Sequence, residues 1–346
     1  MAALKGRGAG LNTAVSFDRY RVERDQEFQD EEYHGGKTTY LPEFSKTIVS
    51  VSDSPDLHGF TSINPYRGCE HGCIYCFARN SHEYWGYSAG LDFETKIIVK
   101  RNAPELLEKL FHSASWKPKV IHLSGNTDCY QPAERKFGIT RRLLEVCLRY
   151  RNPVAILTKN CLVSRDLDIL EKLAALNLVS VAFSVTSLNE KTRRALEPRT
   201  ATGLRRLETM GELHRAGVPV GVMTAPLIPG LNDHEIPAII RKAAEQGACW
   251  AGFTIVRLNG VIDELFTEWA FRHYPDRAEK MLNQIRSCHG GSLNDSRFFQ
   301  RMKGEGPIAD SIHQMHKLAC QRFLAGRSAP QLDTSLFLRG GQFSLF

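Results

Sequence analysis

From about residue 59 two patterns alternate along the chain. Short β-rich apolar runs recur at Phe60-Thr-Ser-Ile63, Val120-Ile-His-Leu123, Val154-Ala-Ile-Leu157, Val179-Ser-Val-Ala-Phe183, Val218-Pro-Val-Gly-Val-Met223 and Ala251-Gly-Phe-Thr-Ile-Val256. Between them lie helical patterns. Residues 166–176 place Leu167, Ile169, Leu170, Leu173, Ala174 and Leu176 mostly on one face, and 203–216 and 235–246 behave alike. Strand followed by helix, repeated, predicts a parallel sheet with right-handed crossovers. Six such units suit either an incomplete β/α barrel or an open doubly wound sheet. In both, active sites collect at the C-terminal ends of the strands.

Outside this rhythm the pattern changes. Residues 1–58 are polar, with Gly-rich, mixed-charge and Ser/Asp/Pro stretches, and read as an N-terminal extension with at most short elements. Residues 59–260 form the βα core. Residues 261–346 keep only helix-like stretches, at 264–274, 281–286 and 312–324, and read as a C-terminal extension packed on the core.

Composition narrows the class. The chain has 346 residues, 42% hydrophobic and 24% charged, which is ordinary globular usage. No run approaches the ~20 apolar residues of a membrane span, so no membrane association is expected. The start, MAALKGRGAGLN, has no apolar stretch behind its charges, so a cytoplasmic location is expected rather than export. The net charge of +7 permits a nucleic-acid partner without requiring one. Basic pairs such as Arg141-Arg142 and Arg205-Arg206 read as solvated helix faces, some of which suit phosphates.

The nine cysteines change the picture more. Without export, a disulfide framework is not expected. Six are scattered, as small buried hydrophobes are. The other three are Cys69, Cys73 and Cys76, spaced C-x3-C-x2-C and following the first strand. A short loop with such gaps wraps its thiolates around one small object, and Gly68 and Gly72 let it bend tightly. Three thiolates leave one position open on an iron–sulfur cluster; a zinc ion held by the three plus His71 is the alternative.

At this point the residues carry a resemblance. The spacing, with Tyr75 just before the last cysteine, resembles the radical S-adenosylmethionine (SAM) superfamily over most of 60–260. The segments Asn64-Pro-Tyr-Arg-Gly-Cys69, Thr127-Asp-Cys-Tyr-Gln-Pro132, Leu196-Glu-Pro-Arg199 and Ala225-Pro-Leu-Ile-Pro-Gly-Leu-Asn-Asp233 are similar to its spore photoproduct lyase-related, DNA repair photolyase-like group. The resemblance implies a partial (β/α)6 barrel of the radical SAM type. It implies a [4Fe–4S] cluster on Cys69, Cys73 and Cys76, with SAM on the open iron. An electron from the cluster would cleave SAM reductively to a 5′-deoxyadenosyl radical that abstracts hydrogen from an unreactive C–H bond, the protein supplying orientation and shelter from water.

It also implies where SAM is met. The glycine-rich segment after the second strand becomes Gly125-Asn-Thr-Asp128, whose backbone at Gly125 and side chain of Thr127 or Asp128 would face the ammonium group. Ser184 would lie near ribose or carboxylate, and Arg199 would pair with the carboxylate. Ile228 would pack on adenine with Tyr75 lining the same side. The plain alternatives are a turn at Gly125, a surface pair of Arg199 with Glu197, and a core Ile228. Cys129, at a strand end, is a candidate hydrogen donor to a substrate radical, its alternative being a structural thiol.

The implied substrate is damaged DNA, which makes the enzyme a lyase of DNA repair; modification of RNA, a peptide or a small metabolite uses the same core. A zinc-stabilised nucleic-acid-binding module is the non-catalytic alternative. An electron donor such as flavodoxin or ferredoxin is implied as a partner. The last residues, Gln342-Phe-Ser-Leu-Phe346, resemble the short peptides that bind bacterial sliding clamps, with Gln342, Leu345 and Phe346 agreeing.

Overall fold

The computed structural model describes residues 6–15, 37–57 and 59–340. The tail residues Gln342, Leu345 and Phe346 lie outside them. Among the described residues ten strands appear: β1 (Thr39–Glu43), β2 (Val49–Val51), β3 (Thr61–Ile63), β4 (Tyr66–Arg67), β5 (Lys96–Lys100), β6 (Ile121–Leu123), β7 (Val154–Thr158), β8 (Val179–Ser184), β9 (Val220–Leu227) and β10 (Trp250–Ile255). The main sheet runs β10-β9-β8-β7-β6-β3-β2. Its first six strands are mutually parallel, and β2 joins β3 antiparallel at the edge. These six are the six apolar runs of the sequence, each within a few residues. The largest difference is at β9, which extends through Ala225-Pro226-Leu227.

Alternation sorts the side chains. In β6 and β7 the residues Ile121, Leu123, Val154 and Ile156 are fully buried, whereas His122, Ala155 and Leu157 are less so. The buried set packs in one core with the helices behind the sheet. These are α4 (Ile139–Tyr150), α5 (Leu167–Ala175), α7 (Gly203–Arg215) and α8 (Ile236–Glu245), contributing Leu143, Leu170, Met210 and Ile240. The opposite face lines the lumen of a partial barrel. There Phe60 stacks on His122, ring centroids 4.1 Å apart.

Seven further α-helices lie among the described residues. Those before β9 are α1 (Leu91–Thr95), α2 (Ala103–His112), α3 (Ala133–Phe137) and α6 (Glu190–Leu196); those after β10 are α9 (Ile262–His273), α10 (Ala278–Cys288) and α11 (Gly306–Phe323). Helix α11 packs on α8 and β10, and its Ile312 and Ala319 enter the main core. The N-terminal stretch is more integrated than its polarity predicts. Strand β1 pairs parallel with β5, which pairs antiparallel with β4, making a second, three-stranded sheet beside the cysteine loop. Among the described residues no helix is long and apolar enough to cross a membrane.

Two further contacts bear on the site. Residues 8 and 9 lie across the cysteine loop: their amides donate to the buried Glu94 carboxylate at 3.0 and 2.8 Å, and Glu94 pairs with buried Arg79 at 2.6 Å. At the far side of the barrel the loop after β2 meets the loop before α11. Arg301 donates to Asp56 Oδ2 and, at 2.6 Å, to Ser54 Oγ, while Met302 accepts from Ile255 of β10 at 3.0 Å. The two edges of the main sheet are thus linked by a clasp of side chains.

Candidate active site

The cysteine loop leaves β3 through Asn64-Pro65 and β4. Gly68 and Gly72 sit at φ +73° and +67°, the left-handed backbone that the tight loop requires. Cys69 is pinned by its amide on Phe93 O at 2.8 Å, and Ile74 by its amide on Leu196 O at 3.0 Å. Gln131 spans the loop, accepting from Glu70 N and donating to Gly68 O, both at 3.0 Å. Cys69 and Cys73 are buried and Cys76 partly so.

Burial pushes all three thiols up in pKa; Asp128 adds to this at Cys69 and Glu197 at Cys73, while Arg79 opposes it at Cys76. Backbone N–H groups of His71 at Cys69, and of Ala78 and Arg79 at Cys76, favour the thiolate. The ammonium of Lys159 does the same at Cys73 and Cys76. Three such thiols on one loop would suit a group that needs charged sulfurs. His71 is engaged elsewhere: its Nδ1 lies 3.4 Å from Asp128 Oδ2 and its Nε2 3.3 Å from Asn160 Nδ2. Both ring nitrogens of the candidate fourth zinc ligand thus face other side chains. Among the described residues no three His, Cys, Asp or Glu side chains group around one metal ion.

The strand ends converge on this loop. After β6, Gly125 passes so close to β3 that a Cβ there would lie 2.6 Å from Ser62 Cβ. Its neighbours are fixed by Asn64, whose Oδ1 accepts from Asn126 N and Thr127 N at 2.7 and 3.2 Å. Thr127 turns its hydroxyl inward to Tyr66 O at 2.6 Å. Asp128 accepts from Tyr130 N and Lys159 N, both at 2.8 Å, and from Thr158 Oγ1 at 2.9 Å. Burial alone would raise its pKa, but His71 and these donors hold it at about 2. Both side chains therefore brace the loops, while Gly125 packs its backbone against β3.

Lys159, just past β7, was not singled out in the sequence, although the polar run Thr158-Lys-Asn160 at a strand end is a legible signal. Its Nζ donates to Ser184 Oγ at 2.8 Å, and Ser184 donates to Ala225 O at 2.9 Å. Glu197 is the second hub missed. It is fully buried and accepts from Tyr75 OH, from Thr186 Oγ1 at 2.5 Å and from Arg206 at 2.6 Å. Burial would raise its carboxyl, but Arg206 and Lys159 bring it down to about 2.

Arg199 pairs with Glu70 at 3.3 Å, not with Glu197, so its guanidinium already has a carboxylate. Tyr75 and Ile228 share one buried apolar cluster, and Ile228 N is held by Asn232 Oδ1 at 2.7 Å. Cys129 lies away from solvent. It is fully buried within the main core, its thiol pushed up by burial and by Asp128, and it has the surroundings of a structural thiol rather than of a donor facing substrate.

Residues 63–243, about half of the chain, match the family described as the Radical SAM superfamily. An uncharacterised protein of Mycobacterium tuberculosis is 33% identical over 217 residues, covering 62% of this chain and 64% of the relative. The chain thus spans a little under two thirds of that relative's length. A Pseudomonas phage M6 protein named radical SAM Nalpha-GlyT isomerase is 26% identical over 211 residues, 56% of this chain and 42% of the phage protein. Among solved structures, spore photoproduct lyase with bound AdoMet and dinucleoside spore photoproduct superposes with a TM-score of 0.59 at 14% identity, over 85% of this chain and 82% of the lyase. That likeness shows the fold.

Proposed function

We propose, for a chain that belongs to the radical SAM superfamily, that Cys69, Cys73 and Cys76 hold its cluster and that the ends of β6, β8 and β9 hold its SAM. The family uses a [4Fe–4S] cluster and SAM, and the chain is a radical SAM enzyme. When bound and reduced, the cluster supplies the electron for reductive cleavage of SAM. The observation that carries the residue assignment is three thiols on one loop at the strand mouth, with an ammonium and backbone amides arranged to favour thiolates.

Within this reading each residue has a task. The Gly125 backbone meets the methionyl amine. Lys159, held by Ser184, replaces Arg199 as the cation for the carboxylate, because Arg199 is spent on Glu70. Tyr75 and Ile228 shape the apolar wall for adenine. Glu197 fixes the Tyr75 hydroxyl, and Asp128 orients His71 and the backbone of Lys159. The surrounding apolar cluster excludes water.

The finer reading is a nucleic-acid substrate, damaged DNA first. It is supported by the net charge of +7, by the dinucleoside spore photoproduct bound to the lyase of the same fold, and by the clamp-like tail. RNA, a peptide or a small metabolite are the competing substrates. A flavodoxin or ferredoxin would deliver the electron, in the cytoplasm.

The test is anaerobic reconstitution followed by dithionite and SAM. The protein should carry about four irons and release 5′-deoxyadenosine. Cys69→Ala, Cys73→Ala or Cys76→Ala should each abolish that product. A fully loaded protein that makes none, or a colourless one holding a single zinc, refutes the assignment. Ultraviolet-irradiated DNA returned unchanged by the active enzyme would refute the repair reading alone.

A further inference from the structure

Arg257 follows β10, where the site's last strand reaches the rim. Its guanidinium has no hydrogen bond and no carboxylate within ion-pair distance among the described residues. It is half-buried, and its closest charges of note are another cation, Arg301, and the carboxylates of Asp56 and Asp295, both committed elsewhere. A guanidinium in such a place keeps its charge and has no carboxylate paired to it among the described residues.

The loop beside it is unusual in the same direction. Phe298 and Phe299 are 48% and 57% exposed, against the general burial of large apolar side chains in this protein. Phe299 sits at φ +67°, a left-handed conformation that a bulky residue rarely adopts. It is held there by its amide donating to Asp56. Strain of this kind persists only where the surroundings impose it, and it tends to mark binding surfaces. Arg301 lies over the Phe298 ring at 4.8 Å, and its hydrogen bonds to Asp56 and Ser54 fix it there. The surface continues toward the cysteine loop: Asn80 donates to Asn259 O at 2.8 Å, two residues beyond Arg257, and Phe77 on the same segment is 51% exposed.

We infer that this seam between the two edges of the main sheet binds a single-stranded stretch of nucleic acid, with Arg257 on a backbone phosphate and Phe298 and Phe299 stacked on bases. Cations that track a backbone, interleaved with exposed rings that take bases of any sequence, are the combination by which proteins hold single strands. An acidic peptide would use Arg257 but would leave the two rings without a planar partner. The inference deepens the nucleic-acid reading given above and rests on it.

The experiment is fluorescence anisotropy of a labelled single-stranded oligodeoxynucleotide, titrated with the cluster-loaded full chain over a range of salt. Arg257→Gln should weaken binding by about tenfold and reduce the slope of log affinity against log salt by about 0.7, the share of one phosphate on a single strand. The double change Phe298→Ala and Phe299→Ala should weaken it by about tenfold or more and leave the salt slope in place. Both variants should keep their iron and release 5′-deoxyadenosine from SAM at the parent rate, which shows that they are folded. Parent-like affinity and slope in both variants overturn the seam and leave the nucleic-acid reading standing. Weakened binding of a strand that the enzyme never modifies upholds the seam and removes the substrate reading. If Arg257→Gln instead slows cluster reduction by a flavodoxin while the oligonucleotide binds as before, the surface belongs to the electron donor and the inference fails.

Discussion

On the side of the rim built by β6, β7 and β8, the buried charges have partners. Glu197 has Arg206, Thr186 and Tyr75; Asp128 has His71, Thr158 and two backbone amides. On the β10 side Arg257 has none among the described residues, and the neighbouring phenylalanines face solvent. The first side is finished before any ligand arrives, which is what a site handling a reactive species requires: positions set by packing and second hydrogen bonds rather than by the ligand. The second side is unfinished, and its loose ends are the ones that a partner would complete. The two should answer to mutation differently, the first in stability and the second mainly in binding.

The largest effect expected on the finished side comes from Glu197→Ala. It strands the Arg206 charge, and both side chains are fully buried. Removing one partner of such a pair costs about 3–5 kcal/mol, to be read by urea denaturation. A loss under about 1 kcal/mol would break the comparison. Glu197 also predicts the acid limb. Its folded pKa of about 2 lies below the ordinary 4.5, so its contribution is present above pH 4.5 and is lost as pH falls from there toward 2. Asp128, lowered from 3.8 to about 2, acts in the same direction over a slightly lower window. Glu197→Gln should therefore flatten the stability–pH curve below pH 4.5.

A smaller effect is expected at Gly125. A methyl group there meets Ser62 Cβ at 2.6 Å, so Gly125→Ala should overpack the strand mouth by about 1–3 kcal/mol. Ser62→Gly should restore much of the loss. Without that rescue, Gly125 acts through backbone conformation and not through space. The smallest effect is expected on the other side. Ser54→Ala removes a hydrogen bond at 2.6 Å to Arg301 on the seam and should cost about 1 kcal/mol or less. A thermal-unfolding shift as large as that of Glu197→Ala would mean that the seam is as finished as the rest.

Much of this architecture was legible in the sequence because it is local. The six runs report strands through β-branched content and length, and C-x3-C-x2-C reports three thiols on one loop through spacing alone. What stayed hidden is what distant residues do to each other. Lys159 and Ser184 meet across 25 positions and Tyr75 and Glu197 across 122. No periodicity reports such a pairing. The sequence assigns Arg199 to a carboxylate of SAM or to Glu197, and Thr127 to the ammonium of SAM, and shows no protein partner at a distance for either. In the fold Glu70 takes the first and Tyr66 the second. Cys129 shows the same limit from the other side: the end of a strand can face the lumen or the helices, and here it enters the core. Strands β1, β4 and β5 escaped because they pair with one another and not with the repeating units.

The clasp between the sheet edges has a mechanical meaning. A closed barrel is a hoop, and widening it requires breaking a ladder of backbone hydrogen bonds. This sheet is a strip whose ends are pinned by Arg301 on Asp56 and Ser54 and by Phe299 on Asp56. Bent strips yield at the pin. The lumen can therefore be widened by undoing a few side-chain contacts, with the six parallel strands and the residues at their tips left in register.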